Sequence, residues 1–550
     1  YRMRYLDTRI YLLDFRRSAN QVFDGTLPVY SDDGIILGVR DKNVEYMMND
    51  SATVLAFVQE GDLWSYSPGN GKVNQVFSFR KTEDGDFRDS RIQHDIKIVR
   101  VTDAGDIDFV LYGYMNRGSH EGYEGIGVYH YNPDKNVAEE RAFIPVSESF
   151  EFLKKDLEKL SYVNEENELF LLLAKSLYKI NIEDNSSEVL EEGIKNANFV
   201  SSDNNDHAAW LVSEGDEKGN IKEINFDTGE TRLIAHEKGK RLRAVGFMNE
   251  DLIYGILNKS DILTDEDGHK SEGISILRIE DFDGNVKKEY QKDGLYITDI
   301  SVGSTLIEFE LSAKSGDTSY VAQKKDNIMN NKKATENTVK IELVSASRTG
   351  VRVKLALNGT AQTDSPLTMY AKVSSTNQKD IVLDTQIPQE STYYVYGQGG
   401  LDSIYTDPAK AILQADALGG VVLNRAQQYI WERGNKKTKT QMDTAELPEA
   451  VLAGTMDIKT LKKSVKKTGT VIDLTGCSLD SVLYEVSAQR PVIAKTGSDT
   501  SVVIVGYDEY NTYLYDPVKK ETYPYGMNDS TDLFQKAGNV FITYVESVSY

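Results

Sequence analysis

Three side chains near the C-terminus could take part in covalent chemistry: the thiol of Cys477, the hydroxyl of Thr500 and the carboxylate of Asp516. A thiol nucleophile needs an imidazole that activates the sulfur and later protonates the leaving group. The last histidine of the sequence is His269, far before Cys477. This region therefore offers a thiol and an acid without an imidazole to link them.

A helix and three strands are predicted around these side chains. Ser478 is a favourable N-cap, and Pro491 ends the helix that follows it. Between them four apolar residues recur at helical spacing: Leu479, Val482, Leu483 and Val486. Apolar runs then predict strands at 492–494, 502–505 and 513–515, and the last two are joined by a short polar turn. The region is expected to be a small α+β sheet domain.

An earlier helix is predicted to belong to the same domain. Asp407 caps it, Pro408 occupies its first position, and Gly419 lies past its end. A strand at 421–423 and a second helical stretch at 461–467 follow it. The helix contains no cysteine.

The C-terminal motifs resemble the bacteriocin-processing-like branch of the papain-like cysteine peptidases. In that branch a helix precedes a strand of the form G-x-P-V-I, a strand of the form His-x-Val-Val-x-Val-Gly-Tyr-Asp follows, and Asp-Pro closes the site. The matching stretches here are Gln489-Arg490-Pro491-Val492-Ile493, the run from Thr500 to Asp508, and Asp516-Pro517. The resemblance covers about the last quarter of the chain and implies a papain-like α+β fold.

The chain departs from the family at its catalytic positions. Thr500 stands where the family has its histidine, and Asp516 keeps the place of the orienting acid. The family's nucleophile belongs to an earlier helix, so Cys477 does not match it. A helix N-terminus could lower the pKa of Cys477, but free cysteines are most often simply buried. The resemblance implies a pseudo-peptidase with no catalytic residue and a degenerate cleft lined by Thr500, Asp516 and Cys477.

Trp431 is a candidate binding aromatic for this cleft. It lies in the stretch Tyr429-Ile430-Trp431-Glu432-Arg433-Gly434. Large aromatic side chains serve in domain cores as readily as in binding sites. Both interpretations of Trp431 stay open at the level of sequence.

The first 330 residues repeat one theme, a short strand, a turn rich in Asn, Asp, Gly or Pro, and a second strand. Copies occur at 10–15, 63–66, 128–131, 177–181, 221–225 and 276–279. Intervals of about 40 to 65 residues are typical of the blades of a β-propeller. We expect six or seven blades, and we expect N-terminal strands to complete the last one.

Three domains are expected in a multidomain, mainly β chain. Residues 1–330 form the propeller, 331–392 a small β module that acts as a linker, and 393–550 the papain-like pseudo-peptidase domain. The boundary near 330 rests on the polar, patternless stretch Met329-Asn330-Asn331-Lys332-Lys333. Two alternating stretches, 339–343 and 351–355, predict a hairpin just after it.

Composition narrows the classes of partner. The net charge of −23 argues against nucleic acid, which needs a basic footprint. A single cysteine rules out an intramolecular disulfide or a cysteine-based metal site, and no metal or other cofactor is predicted. No apolar run is long enough to span a membrane. The sequence begins at Tyr1, which leaves room for a leader, an anchor or a further domain before it.

These observations together favour a non-catalytic binding or scaffolding protein. Low cysteine use, abundant tyrosine and the acidic balance favour an extracellular or cell-surface protein of a Gram-positive bacterium. The expected ligand is a protein or peptide, with a cell-wall polymer as the alternative. Two enzymatic alternatives stay open: a hydrolase that uses Cys477, and a propeller that binds or cleaves glycans with paired carboxylates.

Overall fold

The computed structural model describes residues 1–546, except for a set of short gaps. The gaps are 7–8, 16, 18, 32, 82–84, 147, 149, 165, 195–197, 214, 216, 265–269, 304, 331–338, 347–349, 358–365, 376–379, 384–391, 425–426, 435, 466–468 and 498–499. The described chain is mainly β and is divided among several sheets. Among these residues, none of the helices has the length and apolar character needed to cross a bilayer.

Strands before residue 376 are mostly short and antiparallel. They are β1 (Arg2–Leu6), β2 (Arg9–Asp14), β3 (Tyr30–Ser31), β4 (Gly34–Ile36), β5 (Tyr46–Met48), β6 (Leu55–Gln59), β7 (Asp62–Ser67), β8 (Lys72–Phe77), β9 (His94–Val101), β10 (Ile107–Tyr114), β11 (Glu124–Asn132), β12 (Val137–Pro145), β13 (Ser161–Val163), β14 (Glu168–Leu173), β15 (Ser176–Asn181), β16 (Ser187–Glu191) and β17 (Phe199–Ser201). They continue with β18 (His207–Leu211), β19 (Ile221–Asn225), β20 (Thr231–Ile234), β21 (Lys240–Met248), β22 (Asp251–Asn258), β23 (Ile262–Thr264), β24 (Lys270–Glu272), β25 (Ile276–Glu280), β26 (Val286–Gln291), β27 (Tyr296–Val302), β28 (Leu306–Ser315), β29 (Ser319–Met329), β30 (Val339–Ala346), β31 (Gly350–Leu357), β32 (Leu367–Tyr370) and β33 (Lys372–Ser375).

Strands after residue 392 are β34 (Tyr393–Gly397), β35 (Gly400–Tyr405), β36 (Val421–Asn424), β37 (Tyr429–Glu432), β38 (Thr440–Gln441), β39 (Gly469–Asp473), β40 (Val492–Lys495), β41 (Ser501–Tyr507), β42 (Asn511–Asp516), β43 (Glu521–Gly526) and β44 (Phe541–Glu546). The α-helices are α1 (Phe150–Leu157), α2 (Pro408–Leu418), α3 (Glu449–Leu452), α4 (Ile458–Val465), α5 (Leu479–Ser487) and α6 (Met527–Lys536). Among the described residues before 393, α1 is the one α-helix.

Seven sheets of three to five strands follow one another in the described residues between 30 and 375. We number them by position: sheet 1 is β3, β4, β31 and β30; sheet 2 is β5 to β8 with β32; sheet 3 is β9 to β12 with β33; sheet 4 is β13 to β16; sheet 5 is β17 to β20; sheet 6 is β21, β22, β25 and β26; sheet 7 is β27 to β29. Within sheets 2 to 7, strands consecutive in sequence pair antiparallel, apart from the β23–β24 hairpin inserted in sheet 6. The strand–turn–strand pattern repeated in the sequence therefore corresponds to hairpins between consecutive strands.

Apolar clusters lie between successive sheets. Phe23, Phe57 and Trp64 are buried between sheets 1 and 2, and Phe77 and Phe109 between sheets 2 and 3. Further clusters join sheet 3 to 4, 4 to 5, 5 to 6 and 6 to 7. Among the described residues no comparable cluster joins sheet 7 back to sheet 1. Each sheet thus buries its faces against its neighbours in chain order.

The N-terminal strands β3 and β4 form a sheet with the later strands β31 and β30, whereas the hairpin β1–β2, which holds the first predicted copy, is a separate two-stranded sheet. Leu355 on β31 pairs with Ile35 on β4. The partner strand of β4 comes from 350–357, after the domain boundary expected near residue 330. Sheet 7, which precedes that boundary, is formed by β27, β28 and β29.

The strands expected to form a separate β module within 331–392 pair outside that range. The predicted hairpin β30–β31 is present, but β31 also pairs with β4. Strand β32 adds in parallel to β8, and β33 adds in parallel to β12. Strict alternation of apolar and polar residues identifies a half-buried strand but does not identify the strand that it pairs with. The sequence therefore could not predict which sheets β31, β32 and β33 join.

The region after residue 392 has one apolar core of its own. Sheet 8 has the order β35, β34, β36, β37, and sheet 9 has the order β39, β44, β40, β41, β42, β43 with β38 beside β41. A single cluster of buried residues between 393 and 545 fills the space among these sheets and helices. The caps predicted from sequence are present: Asp407 accepts from the N–H groups of Ala409 and Lys410, and Ser478 accepts from that of Ser481.

Candidate functional site

Thr500 and Asp516 lie at neighbouring ends of two inner strands of sheet 9, and we call this row of strand ends the edge of sheet 9. Thr500 immediately precedes β41, and Asp516 ends β42, whose Tyr515 pairs with Val503 on β41. Thr500 is exposed, and its hydroxyl accepts a hydrogen bond from the Thr496 hydroxyl at 3.0 Å. The sheet therefore brings these two of the predicted cleft residues to neighbouring strand ends.

A loop closes over the same edge. Ser501 donates its hydroxyl hydrogen to the Gly454 carbonyl oxygen at 2.7 Å. Gly454 has a φ of 66°, and a Cβ at this position would lie 2.5 Å from Ser501 Oγ and 2.8 Å from Pro517 Cγ. A larger residue would therefore push the loop away from the strand ends.

The carboxylate of Asp516 is engaged by the turn that follows it. Its Oδ1 accepts from the backbone N–H groups of Val518 at 2.8 Å and Lys519 at 3.1 Å. The N–H groups of Lys519 and Val518 hold the pKa of Asp516 below its usual value, because they stabilise the charged form. Asp516 thus fixes the β42–β43 turn as an ionised carboxylate.

Cys477 is completely buried. Its side chain has 0% exposure, and Sγ lies 3.9 Å from the Ala409 carbonyl oxygen in the first turn of α2. Burial raises the pKa of the thiol well above its usual value, and the carboxylates of Glu485 and Asp407 raise it further. The helix N-terminus does not produce a reactive thiolate here, and Cys477 packs as a small apolar residue.

Sheet 9 also separates Cys477 from Thr500. Cys477 follows β39, and the order β39, β44, β40, β41 puts three strand spacings between β39 and the strand that follows Thr500. At the usual spacing between neighbouring strands this is about 14 Å. A hydrogen-bonded nucleophile–base pair requires about 3 Å between the partner atoms. Of the three residues predicted to line one cleft, Thr500 and Asp516 therefore lie at the edge of sheet 9, and Cys477 lies in the core.

Trp431 lies in the core. It is 3% exposed, its indole N–H donates to the Ser481 carbonyl oxygen at 3.0 Å, and its ring centroid is 6.2 Å from that of Tyr484. Trp431 is therefore buried against α5, which matches the core role and not the ligand-binding role considered for it from the sequence. Its neighbour on β37, Tyr429, is 53% exposed.

Glu485 is a buried acid that sequence reasoning did not single out. It is fully buried on α5, and Arg490 contacts its Oε2 at 2.9 Å. Arg490 also donates to the carbonyl oxygens of Ile430 and Tyr429. Burial raises the pKa of Glu485 to about 7, against the opposing effect of Arg490. The only signal in the sequence is an acid on a helix that is otherwise apolar on the same side.

Metal chemistry has no support in the geometry of the described side chains. Within the described ranges, no group of three or more His, Cys, Asp or Glu side chains is arranged to hold a metal ion. At the edge of sheet 9 the described polar groups include the hydroxyls of Thr496, Thr500 and Ser501, the ionised carboxylate of Asp516 and backbone groups of the loop. Such groups can bind a ligand by hydrogen bonds, and they contain no activated nucleophile.

Comparison with known proteins leaves the family open. No family model matches the chain, and no curated protein matches it. Among solved structures, a C39-like peptidase from Bacillus anthracis overlaps with 17% of this chain and 58% of its own, at 22% identity and a TM-score of 0.15. The tricorn protease overlaps with 57% of this chain and 32% of its own, at 15% identity and a TM-score of 0.29.

A third overlap is with Hsv2p from Kluyveromyces lactis. It covers 59% of this chain and 99% of that protein, at 11% identity and a TM-score of 0.27. The chain spans less than two thirds of the length of the C39-like peptidase and of the tricorn protease. Overlaps at such TM-scores do not define a shared fold.

Proposed function

We propose that this chain is a non-catalytic binding or scaffolding protein that joins a β-propeller to a papain-like pseudo-peptidase domain. The propeller is supported by seven successive sheets, built mainly from antiparallel strands and each packed on the next through an apolar cluster. The pairing of β4 with β31 supports ring closure, because it joins N-terminal strands to strands that follow sheet 7 in sequence.

The burial of Cys477 is the observation that carries the non-catalytic assignment. A thiol with 0% exposure and a raised pKa is neither accessible to a peptide carbonyl nor ionised near neutral pH. Asp516, the acid retained from the family pattern, accepts hydrogen bonds from its own turn. The edge of sheet 9 then offers exposed polar groups for binding without an activated group for cleavage.

We further propose a protein or peptide ligand and a location outside the cytoplasm, at the surface of a Gram-positive bacterium. The ligand class is supported by the exposed polar side chains around Thr500, which can hydrogen-bond to a peptide. The location is supported by composition alone, with one cysteine and a net charge of −23. Fractionation of cells that express the full gene tests the location directly.

The binding test uses a defined library of synthetic peptides and purified protein. We expect saturable binding of a subset of peptides, with every bound peptide recovered intact by mass spectrometry. Thr500→Arg should weaken binding by about tenfold, because it fills the edge of sheet 9. Tyr510→Ala is the matched control, since Tyr510 is 71% exposed in the turn at the opposite end of β41 and β42. Cleaved products that disappear in Cys477→Ser would refute the proposal.

A further inference from the structure

The hairpin of β1 and β2 stands apart from the seven successive sheets. Among the described residues no third strand pairs with it, and none of the apolar clusters includes a residue before Phe23. The described side chains of 15–22 are exposed, so Phe23 is the first buried residue of the described chain. Nothing in the proposed peptide binding at the edge of sheet 9 uses this hairpin.

One face of the hairpin is apolar and exposed. Met3 pairs with Leu12, and Ile10 lies two residues before Leu12 on the same strand, so these three side chains share a face. Met3 and Ile10 are each 59% exposed, and Leu12 is 60% exposed. An isolated two-stranded hairpin is only marginally stable in water, and a contiguous exposed apolar patch marks a surface that another molecule covers.

The opposite face of the hairpin has two exposed arginines. Arg4 pairs with Tyr11, and Arg9 lies two residues before Tyr11, so these three side chains share the second face. The guanidinium carbon of Arg9 lies 5.1 Å from the centre of the Tyr11 ring, as expected for side chains on one face. The hairpin is therefore amphipathic, with apolar side chains on one side and arginine and tyrosine on the other.

The charge of this segment is opposite to that of the whole chain. Residues 1–17 contain five arginines and two aspartates, which gives the segment a net charge of +3 in a chain whose total is −23. A positive segment with an exposed apolar face is complementary to a surface that is both anionic and partly apolar. A bilayer of anionic phospholipid has both properties, because its phosphates bind guanidinium groups and the layer below them takes apolar side chains.

The same charge argues against a second copy of the chain as the molecule that covers the apolar face. Two hairpins in face-to-face contact would bring two segments of net charge +3 together. Like charges held close together oppose association, whereas an anionic bilayer attracts both the arginines and the apolar face.

We propose that the β1–β2 hairpin binds the surface of an anionic phospholipid bilayer. Met3, Ile10 and Leu12 enter the headgroup region, and Arg4 and Arg9 contact lipid phosphates from the other face. The strands have five and six residues, fewer than the about nine that a strand needs to cross the hydrocarbon layer. The hairpin therefore lies in the plane of the interface.

The acidic remainder of the protein can stay clear of the bilayer. Residues 15–22 separate β2 from Phe23 and can span up to about 26 Å when extended. The Debye length at physiological ionic strength is about 8 Å, so repulsion across that distance is largely screened.

Co-sedimentation of the purified chain with lipid vesicles tests the proposal. The vesicles contain phosphatidylcholine alone, or phosphatidylcholine with about one third phosphatidylglycerol, which is anionic. We expect binding to the anionic vesicles that weakens as salt is added, and binding to the neutral vesicles that is weaker by about tenfold or more. Absence of binding to anionic vesicles at low salt, or equal binding to both kinds, overturns the proposal.

One pair of variants tests the apolar face. Leu12→Asp places a charge among the side chains that enter the headgroup region, and it should weaken binding to anionic vesicles by about tenfold or more. Val286→Asp is the matched control, because Val286 is 51% exposed on β26. Equal binding of the two variants overturns the proposal.

A second pair tests the arginines. Each arginine near an anionic surface strengthens binding by about fivefold, so Arg4→Ser combined with Arg9→Ser should weaken binding by more than about tenfold. Arg241→Ser combined with Arg243→Ser removes the same charge at two exposed positions on β21 and is the control. A loss of binding that is the same in both double variants would reflect total charge alone and would overturn the assignment to the hairpin.

Hydrogen exchange of the unmodified sequence locates the contact without a variant. The amides of β1 and β2 should exchange rapidly in buffer, because the hairpin is isolated there, and slowly with anionic vesicles, whereas those of sheet 9 should not change. Exchange in β1 and β2 that vesicles leave unchanged overturns the proposal. A dimer that Leu12→Asp dissociates, seen by analytical ultracentrifugation in a chain that binds no vesicles, would identify a second copy as the covering molecule and also overturn it.

Discussion

Trp431 donates its indole N–H to the carbonyl oxygen of Ser481 at 3.0 Å and so joins β37 to α5. The bond connects sheet 8 to the helix that packs on sheet 9, within the single apolar core of the C-terminal region. An indole held in this way has no face free for a ligand, since only 3% of the residue is exposed. Trp431 therefore serves the stability of the domain whose edge is proposed to bind.

Replacing Trp431 should lower stability and leave binding intact. Trp431→Phe removes the hydrogen bond to Ser481 and part of a buried ring, which should cost about 2 to 4 kcal/mol. Calorimetric unfolding should show a lower Tm for the transition of the C-terminal region. Tyr429→Ala, an exposed position on the same strand, should change that Tm little. A stable Trp431→Phe protein with weakened peptide binding would instead show that the ring contacts ligand.

Cys477 should be unreactive in the folded protein. Its burial and raised pKa predict slow alkylation by iodoacetamide across neutral and mildly alkaline pH, and fast alkylation once denaturant unfolds the chain. Mass spectrometry of the labelled protein over time measures both rates. Cys477→Ala should fold and should bind peptides like the unmodified chain. Rapid labelling of native protein near neutral pH would restore the hydrolase alternative.

Local signals in the sequence were sufficient for the helices and strands around the candidate site. Asp407, Pro408 and Gly419 bound α2 where they were expected, and Ser478 caps α5. These signals succeed because a cap satisfies backbone groups within a few residues of itself. Strands β41 and β42 were likewise marked by short apolar runs with a polar turn between them.

Partners distant in sequence could not be predicted. Nothing in the stretch 367–375 indicates that its two strands add in parallel to β8 and β12. Leu367 pairs with Lys72, which lies nearly 300 residues earlier in the sequence. Val373 pairs with Ala138, which lies 235 residues earlier. Pairing at an open sheet edge depends on which edge the rest of the fold leaves free. The sequence likewise does not show that β4 pairs with β31.

Buried polar residues between sheets 2 and 3 could not be recognised from the sequence either. Alternation along β9 indicates which side chains point inward, but it does not separate an apolar interior position from a polar one. No motif singles out His94 in the sequence. Its environment depends on Gly61, which lies in the turn between β6 and β7 and approaches the imidazole through its own left-handed backbone.

The parallel addition of β33 to β12 can be broken at one backbone group. The N–H of Lys372 donates to the Asn136 carbonyl oxygen at 3.0 Å, and Lys372→Pro removes that donor. We expect faster amide exchange at 137–140 and 372–375, which corresponds to a local loss of about 1 kcal/mol or more. Lys372→Ala keeps the N–H and is the control. If 331–392 were an independent module, exchange at 137–140 would not respond.

The stability of the C-terminal region should depend on pH through Glu485. Its pKa in the folded protein is about 7, above the ordinary value for a glutamate, because burial disfavours the charged form. A group with a raised folded pKa contributes stability that is complete below its unfolded pKa and is lost as pH rises through its folded pKa. The free energy of unfolding should therefore fall between about pH 4.5 and pH 7, by up to about 3 kcal/mol.

Glu485→Gln tests this dependence, since the amide stays neutral throughout that window. Amide exchange of α5, corrected for the intrinsic effect of pH, should report a loss of protection in the unmodified chain between about pH 4.5 and pH 7. The loss should be much smaller in Glu485→Gln, whereas Glu446→Gln, at an exposed position before α3, should behave like the unmodified chain. Equal pH slopes in all three proteins would mean that Arg490, at 2.9 Å, keeps Glu485 ionised in the core and cancels the effect of burial.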